Sequence, residues 1–99
     1  MVSTVGKLIS AADAISELSA AGANMPCKRL KEILENFGFA VERCRTPSHY
    51  TVSHRGLSEF HGSDFACEHA KSPQVKREYI KNMKRVIERY AQELDAINS

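Results

Sequence analysis

The chain has 99 residues, of which 42% are hydrophobic and 26% are charged, and its formal net charge is +2. This size and composition are typical of one globular domain, which is too small to enclose a large cofactor beside its own core. We therefore expect a small surface site or a flat binding face. The sequence has no apolar run of membrane-spanning length and no secretory leader pattern, so we expect a cytoplasmic protein.

The three cysteines, Cys27, Cys44 and Cys67, are widely spaced, and none belongs to a Cys-x-x-Cys pair. An odd number at such spacing predicts neither a zinc site nor a disulfide framework. Free thiols are typical of a reducing compartment. We expect small buried side chains at these positions, with a nucleophilic cysteine as the alternative.

Two helices are predicted in the first third of the chain. Residues 4–20 place apolar side chains near a 3.6-residue period, and residues 21–24 interrupt that pattern. Residues 26–37 carry a stronger apolar stripe, with Pro26 suited to the first turn. Gly38 is suited to end this helix, because glycine adopts a positive φ at little cost.

Three strands are predicted next, at residues 39–43, 48–54 and 64–69. A short proline-containing turn separates the first two strands, which favours an antiparallel hairpin. In the second strand, Tyr50 and Val52 face one side and His49 faces the other. An imidazole on rigid backbone can act as a general acid or base, although an exposed histidine without a role fits the same pattern.

One long helix is predicted over residues 73–96, with Ser72 as its N-cap and Pro73 at its first position. Its apolar stripe consists of Tyr79, Met83, Val86, Tyr90 and Leu94, widened by Ile80 and Ile87. Residues 74–89 contain six basic side chains and two acidic ones. This excess predicts a phosphate-binding surface, and an ordinary solvated helix face is the alternative.

The predicted order of elements is α-α-β-β-β-α. We predict an α+β two-layer sandwich, in which the helices at residues 26–37 and 73–96 cover one face of an antiparallel three-stranded sheet. The core then contains Phe39, Tyr50, Val52 and Phe65. The face that carries His49 is left open to a partner or a substrate.

From residue 26 to about residue 90, the chain resembles HicA-type toxins, the small ribonucleases of HicAB toxin–antitoxin systems. The resemblance rests on the order of short motifs: a helix ending in Gly38-Phe39, Ser48-His49 before Tyr50, His54 closing the second strand, Glu68-His69 closing the third, and a basic helix over residues 76–86. Pro47 stands where the family usually has glycine, and His49 is single where a pair of histidines is more usual.

The resemblance implies a double-stranded-RNA-binding-like α-β-β-β-α fold for residues 26–99, with residues 1–25 as an N-terminal helical extension. It implies a toxin that cleaves mRNA as an endoribonuclease, and a HicB-like antitoxin as its protein partner. The sequence shows no carboxylate cluster that suggests a metal site, so we expect chemistry without a metal or a cofactor.

By this resemblance, His49 is the general acid or base for cleavage. Ser48 orients His49 or the phosphate, or else it hydrogen-bonds the backbone of the turn. The predicted RNA contacts are Lys76, Arg77, Lys81 and Lys84 in the final helix, and Arg43 and Arg45 in the hairpin. Cations at such positions stabilise the additional charge of the transition state.

Two other functions fit parts of the same pattern. A non-catalytic RNA-binding module would use the same basic surface to contact RNA by its shape. A DNA-binding helix-turn-helix could form from the first two helices, whose basic cluster is Lys28, Arg29 and Lys31. We expect His54 and His69 to be structural, and His61 has no predicted role.

Overall fold

The computed structural model describes residues 9–22, 24–45, 48–68 and 71–98. Over these ranges the chain forms four helices and two small antiparallel sheets. In chain order the elements are α1 (Ala11–Ala20), β1 (Asn24–Pro26), α2 (Cys27–Asn36), β2 (Ala40–Arg43), β3 (His49–Ser53), β4 (Ser63–Ala66), β5 (Gln74–Lys76), α3 (Arg77–Arg89) and α4 (Ala91–Ile97). The predicted α+β class is therefore confirmed.

The first described helix begins at Ala11. Ser10 has extended backbone angles, and its hydroxyl accepts a hydrogen bond from the Asp13 N–H at 3.1 Å, which caps the helix at Ala11. Residues 4–8 of the predicted helix lie outside the described residues. Ala14 and Leu18 of α1 are buried in the same core as the side chains of α2 and α3.

The end of α2 is a complete Schellman motif around Gly38. Gly38 has a φ of 87°, and its N–H donates to the Glu35 carbonyl at 3.0 Å. The Phe39 N–H donates to the Leu34 carbonyl at 3.1 Å, and both of those side chains are buried. The predicted role of Gly38 is confirmed.

The predicted hairpin and third strand form one sheet in the order β2-β3-β4, with both pairs antiparallel. Val52 and Phe65 point into the core and are fully buried, and Phe39 is buried beside them, as expected. Tyr50 packs against the core but is only partly buried, so the prediction that it is a core residue is only partly correct.

The predicted start of the last helix is wrong. Residues Gln74–Lys76 form β5, which pairs antiparallel with β1, and α3 begins at Arg77. The N-cap is Lys76, so Ser72 and Pro73 do not begin the helix as predicted. The Pro73 carbonyl instead accepts a hydrogen bond from the Cys27 N–H at 3.0 Å. Pairing with a distant strand thus outweighs the local helix-start signal. The helix is also interrupted at Tyr90, before α4.

Cys27 and Cys67 form a disulfide, which contradicts the expected free thiols. The two cysteines are 40 residues apart in sequence, and β5 brings them together. Cys27 directly follows β1, which pairs with β5, and Cys67 bridges to Val75 within β5. Cys44 remains a free thiol. The cysteine content therefore no longer supports a reducing compartment.

Among the described residues, no helix is long and apolar enough to cross a membrane.

Candidate functional site

The outer face of the β2-β3-β4 sheet is the face opposite to the buried side chains Val52 and Phe65. It is formed by Ala40, Glu42, His49, Thr51, Ser53, Asp64 and Ala66. His49 is half-buried and pairs across the sheet with Ala66 on β4. On the other side, the Cys44 N–H donates to the His49 carbonyl at 2.9 Å, so the free thiol is a cross-strand neighbour of the histidine.

His49 and Lys76 lie in one row that crosses both sheets. The Cys67–Val75 bridge joins β4 to β5, and the Glu68 N–H donates to the Gln74 carbonyl at 3.1 Å. Continuing this antiparallel register sets Ala66 opposite Lys76. Lys76 faces away from the buried Val75, to the same side as His49. His49 and Lys76 are then separated by two strand spacings, so their Cα atoms are about 10 Å apart.

Lys76 also belongs to a basic cavity at the start of α3, which we call the α3 cleft. It has a volume of about 690 Å³ and is lined by Asn24, Lys76, Arg77, Glu78 and Lys81. Within the described ranges, the ion pairs involve Arg29 and none of these three cations. No side chain caps the first turn of α3, whose N–H groups add positive potential. The cleft thus combines available cations with space for an anion.

The other predicted cations are distributed differently. Lys84 is one turn beyond Lys81 on α3 and is half-buried. Arg43 lies opposite Tyr50 in the register, so it occupies the face of the sheet opposite to His49. Arg45 follows β2 and is exposed. The structure therefore groups Lys76, Arg77 and Lys81 and separates the hairpin arginines from them.

Two carboxylates stand on the outer face beside His49. The register sets Glu42 and Asp64 on either side of Thr51, the next outward residue of β3, and all three are exposed. Phosphate groups are repelled by such a pair. The electrostatic potential along the row towards Lys76 is therefore more favourable to an anion than the potential at the middle of the outer face.

Ser48 holds the start of β3 in place. Its φ of 69° lies in the left-handed region, which costs a non-glycine residue roughly 1–2 kcal/mol. Its carbonyl accepts a hydrogen bond from the Cys67 N–H at 2.8 Å. The backbone of Ser48 thereby fixes the strand that carries His49 against the end of β4. Pro47, which precedes it, lies outside the described residues.

His54 has the contacts of a structural residue. Its Nδ1 accepts a hydrogen bond from the Gly56 N–H at 2.9 Å, so Nε2 carries the proton and donates to the Phe37 carbonyl at 2.7 Å. Its ring packs edge-on against Phe39, with the centroids 4.7 Å apart. These contacts join the end of β3 to the end of α2. His69 lies outside the described residues.

Arg29, the central cation of the helix-turn-helix alternative, is engaged within the fold. Its guanidinium donates two hydrogen bonds of 2.6 Å to Glu17, and it also lies 3.4 Å from Glu32. The hydrogen bonds from Arg29 lower the pKa of the Glu17 carboxyl, and those to Glu17 raise the pKa of Arg29. Contact with DNA at this position would compete with these pairs.

Sequence reasoning missed three features near this site: the disulfide, the neighbouring Cys44, and the exposed side of Tyr50. The disulfide and the environment of Tyr50 depend on contacts between distant segments, whereas Cys44 lies opposite His49 through the hairpin that the sequence does predict. Among the described residues, no three His, Cys, Asp or Glu side chains are grouped as metal ligands.

Comparison of the chain with protein-family models, curated proteins and solved structures found no match.

Proposed function

We propose that this protein is a small endoribonuclease of the HicA toxin type, with a double-stranded-RNA-binding-like core. The order α2-β2-β3-β4, followed by α3 after the short additional strand β5, supports a relation to the family's α-β-β-β-α pattern. The observation that carries the functional proposal is the single row that contains His49 and Lys76, with the remaining cations of the α3 cleft at its end.

Cleavage at this row needs few groups. The ribose 2′-hydroxyl attacks the adjacent phosphorus, and the bond from phosphorus to the 5′-oxygen of the next nucleotide breaks. His49 takes the proton of the 2′-hydroxyl as general base, or gives a proton to the leaving 5′-oxygen as general acid, and water completes the other transfer. The products are a 2′,3′-cyclic phosphate and a free 5′-hydroxyl. Proton transfer by one positioned group contributes roughly 10²–10⁴-fold to the rate. Lys76, Arg77 and Lys81 neutralise the charge that develops on the phosphate. Ser48 positions His49 through its backbone, and no metal ion takes part.

The partner in this proposal is a HicB-like antitoxin. It inhibits by covering His49 and the α3 cleft together, since both must be accessible to RNA. Glu42 and Asp64 give the partner an acidic region to contact beside the cationic one. A basic side chain of the antitoxin would pair there without displacing the lysines of the cleft.

The test is incubation of single-stranded RNA with the wild-type protein, His49→Ala and the matched control His61→Ala. His61 is an exposed histidine outside the row. We expect the wild type and the control to cut RNA equally in the presence of a chelator, and His49→Ala to be inactive with an unchanged far-UV circular dichroism spectrum. Equal cleavage by His49→Ala would move the catalytic assignment to another residue.

A non-catalytic RNA-binding module is the second candidate. It is favoured by the presence of one histidine in the row, because the cations of the α3 cleft can hold RNA without proton transfer. If this candidate is correct, the wild type binds RNA with an affinity that falls with salt concentration. It produces no RNA fragments even when protein is in excess. That result would replace the nuclease proposal.

A further inference from the structure

A second cavity lies between the start of α2 and the residues that lead into β5, and we call it the Tyr50 pocket. Its volume is about 640 Å³, within the range of small-ligand sites, roughly 300–1,000 Å³. Pro26, Pro73 and the Tyr50 ring form apolar parts of its wall, and Lys28 and Lys31 supply cations. The pocket therefore offers flat apolar contacts and positive charge at one place.

The Tyr50 ring is fixed in orientation. It stacks on Phe65 with the planes 19° apart and the centroids at 5.3 Å. The Lys31 ammonium lies 5.7 Å from the centroid of the same ring. Within the described residues, the ion pairs include neither Lys28 nor Lys31. A rigid aromatic ring with ammonium groups nearby suits a ligand that is both flat and anionic.

We propose that the Tyr50 pocket binds a single nucleotide, with its base against the Tyr50 ring and its phosphate on Lys28 and Lys31. Stacking on an aromatic ring accepts any base, because every base has a π face, so the pocket anchors a nucleotide without a strict sequence requirement. As a base approaches the ring, Lys31 exchanges its contact with the ring for one with the phosphate.

The position of the pocket connects it to the proposed nuclease site, and this part of the inference rests on the proposed function. Tyr50 directly follows His49 on β3, and their side chains lie on opposite faces at the same end of the strand. An RNA chain that turns around this end presents one base to the pocket and a neighbouring phosphate to His49. The pocket then positions the substrate for cleavage.

Binding is tested by titrating adenosine 5′-monophosphate into the wild-type protein and following amide resonances by NMR. We expect millimolar or tighter binding that shifts the resonances of Lys28, Lys31 and Tyr50. Tyr50→Leu should weaken binding about tenfold or more, whereas Tyr50→Phe retains the ring and should bind as the wild type does. Lys31→Gln should weaken it severalfold, unlike the control Arg55→Gln, which removes an exposed cation elsewhere.

Further probes separate this inference from the nuclease proposal. His49→Ala should bind the nucleotide normally even if it cuts no RNA, and adenosine without phosphate should bind more weakly than the monophosphate. If the protein cuts RNA but its resonances do not shift on addition of the nucleotide, the proposal of a nucleotide pocket is wrong and the nuclease proposal stands. If the wild type binds the nucleotide but cuts no RNA, the proposal of a nucleotide pocket is supported and the nuclease proposal is wrong. Selective binding of an acidic aromatic peptide instead of the nucleotide would assign the pocket to a protein segment and overturn the proposal.

Discussion

Replacing both Cys27 and Cys67 by alanine opens a covalent loop whose ends lie 40 residues apart in the chain. In the chain-entropy account, closing a loop of this length lowers the entropy of the unfolded chain by about 13 cal/mol/K, which is about 4 kcal/mol at 25 °C. Both cysteines are buried and the disulfide joins the start of α2 to the end of β4. We expect the free energy of unfolding to fall by about 4 kcal/mol.

The assay is urea unfolding followed by far-UV circular dichroism, with no reductant present. For an m-value of about 2 kcal/mol/M, a loss of about 4 kcal/mol lowers the midpoint by about 2 M urea. The wild type treated with a reducing agent should unfold near the midpoint of the double variant. Cys44→Ala is the matched control, because it removes a cysteine and opens no loop.

Three results would contradict this expectation. A double variant that unfolds at the wild-type midpoint would mean that the disulfide does not constrain the unfolded chain. A wild type that is indifferent to the reducing agent would mean that Cys27 and Cys67 are not joined. An equal loss in Cys44→Ala would mean that the effect comes from lost packing and not from the cross-link.

The remaining predictions concern charge. Glu42→Gln and Asp64→Asn should each strengthen RNA binding by roughly twofold at low salt, because a unit charge about 10 Å from a phosphate is worth about 0.4 kcal/mol in water. The control Glu59→Gln should have a smaller effect, and a gain that persists at high salt would contradict the electrostatic explanation. Arg29→Gln should cost at most about 1 kcal/mol of unfolding free energy at neutral pH, since both partners of the pair are partly exposed. Because the pKa of Glu17 is lowered on folding, this contribution is present above the ordinary value of 4.5 and is lost as the pH falls through the lowered value. Urea unfolding at neutral and acidic pH checks this, and an effect of the variant that is equal at both would contradict it.

The features that could be predicted from the sequence are those with a local cause. Gly38 ends α2 because the backbone needs a positive φ there. The alternation in β3 separates Val52 from His49, and this alternation alone is enough to predict that the histidine lies on the outer face. Helical periodicity likewise predicts the apolar stripes of α2 and α3, because it depends only on residues of the same helix.

The features that could not be predicted depend on contacts between distant segments. Gln74–Lys76 has the local pattern of a helix start, and only its pairing with Asn24–Pro26 makes it a strand. The same pairing brings Cys27 to Cys67, so the disulfide has no local signal either. It also carries Lys76 into the row of His49. The position of Lys76 in the candidate site is thus a consequence of β5, which has no signal in the sequence alone.

We propose above all that His49 performs proton transfer in RNA cleavage at a row shared with Lys76. This is measured by the single-turnover cleavage rate of His49→Ala, with its RNA affinity determined on the same preparation. We expect a rate lower by roughly 10²–10⁴-fold at nearly unchanged affinity, since the cations of the α3 cleft remain. A variant that cleaves at the wild-type rate would show that His49 does not transfer the proton.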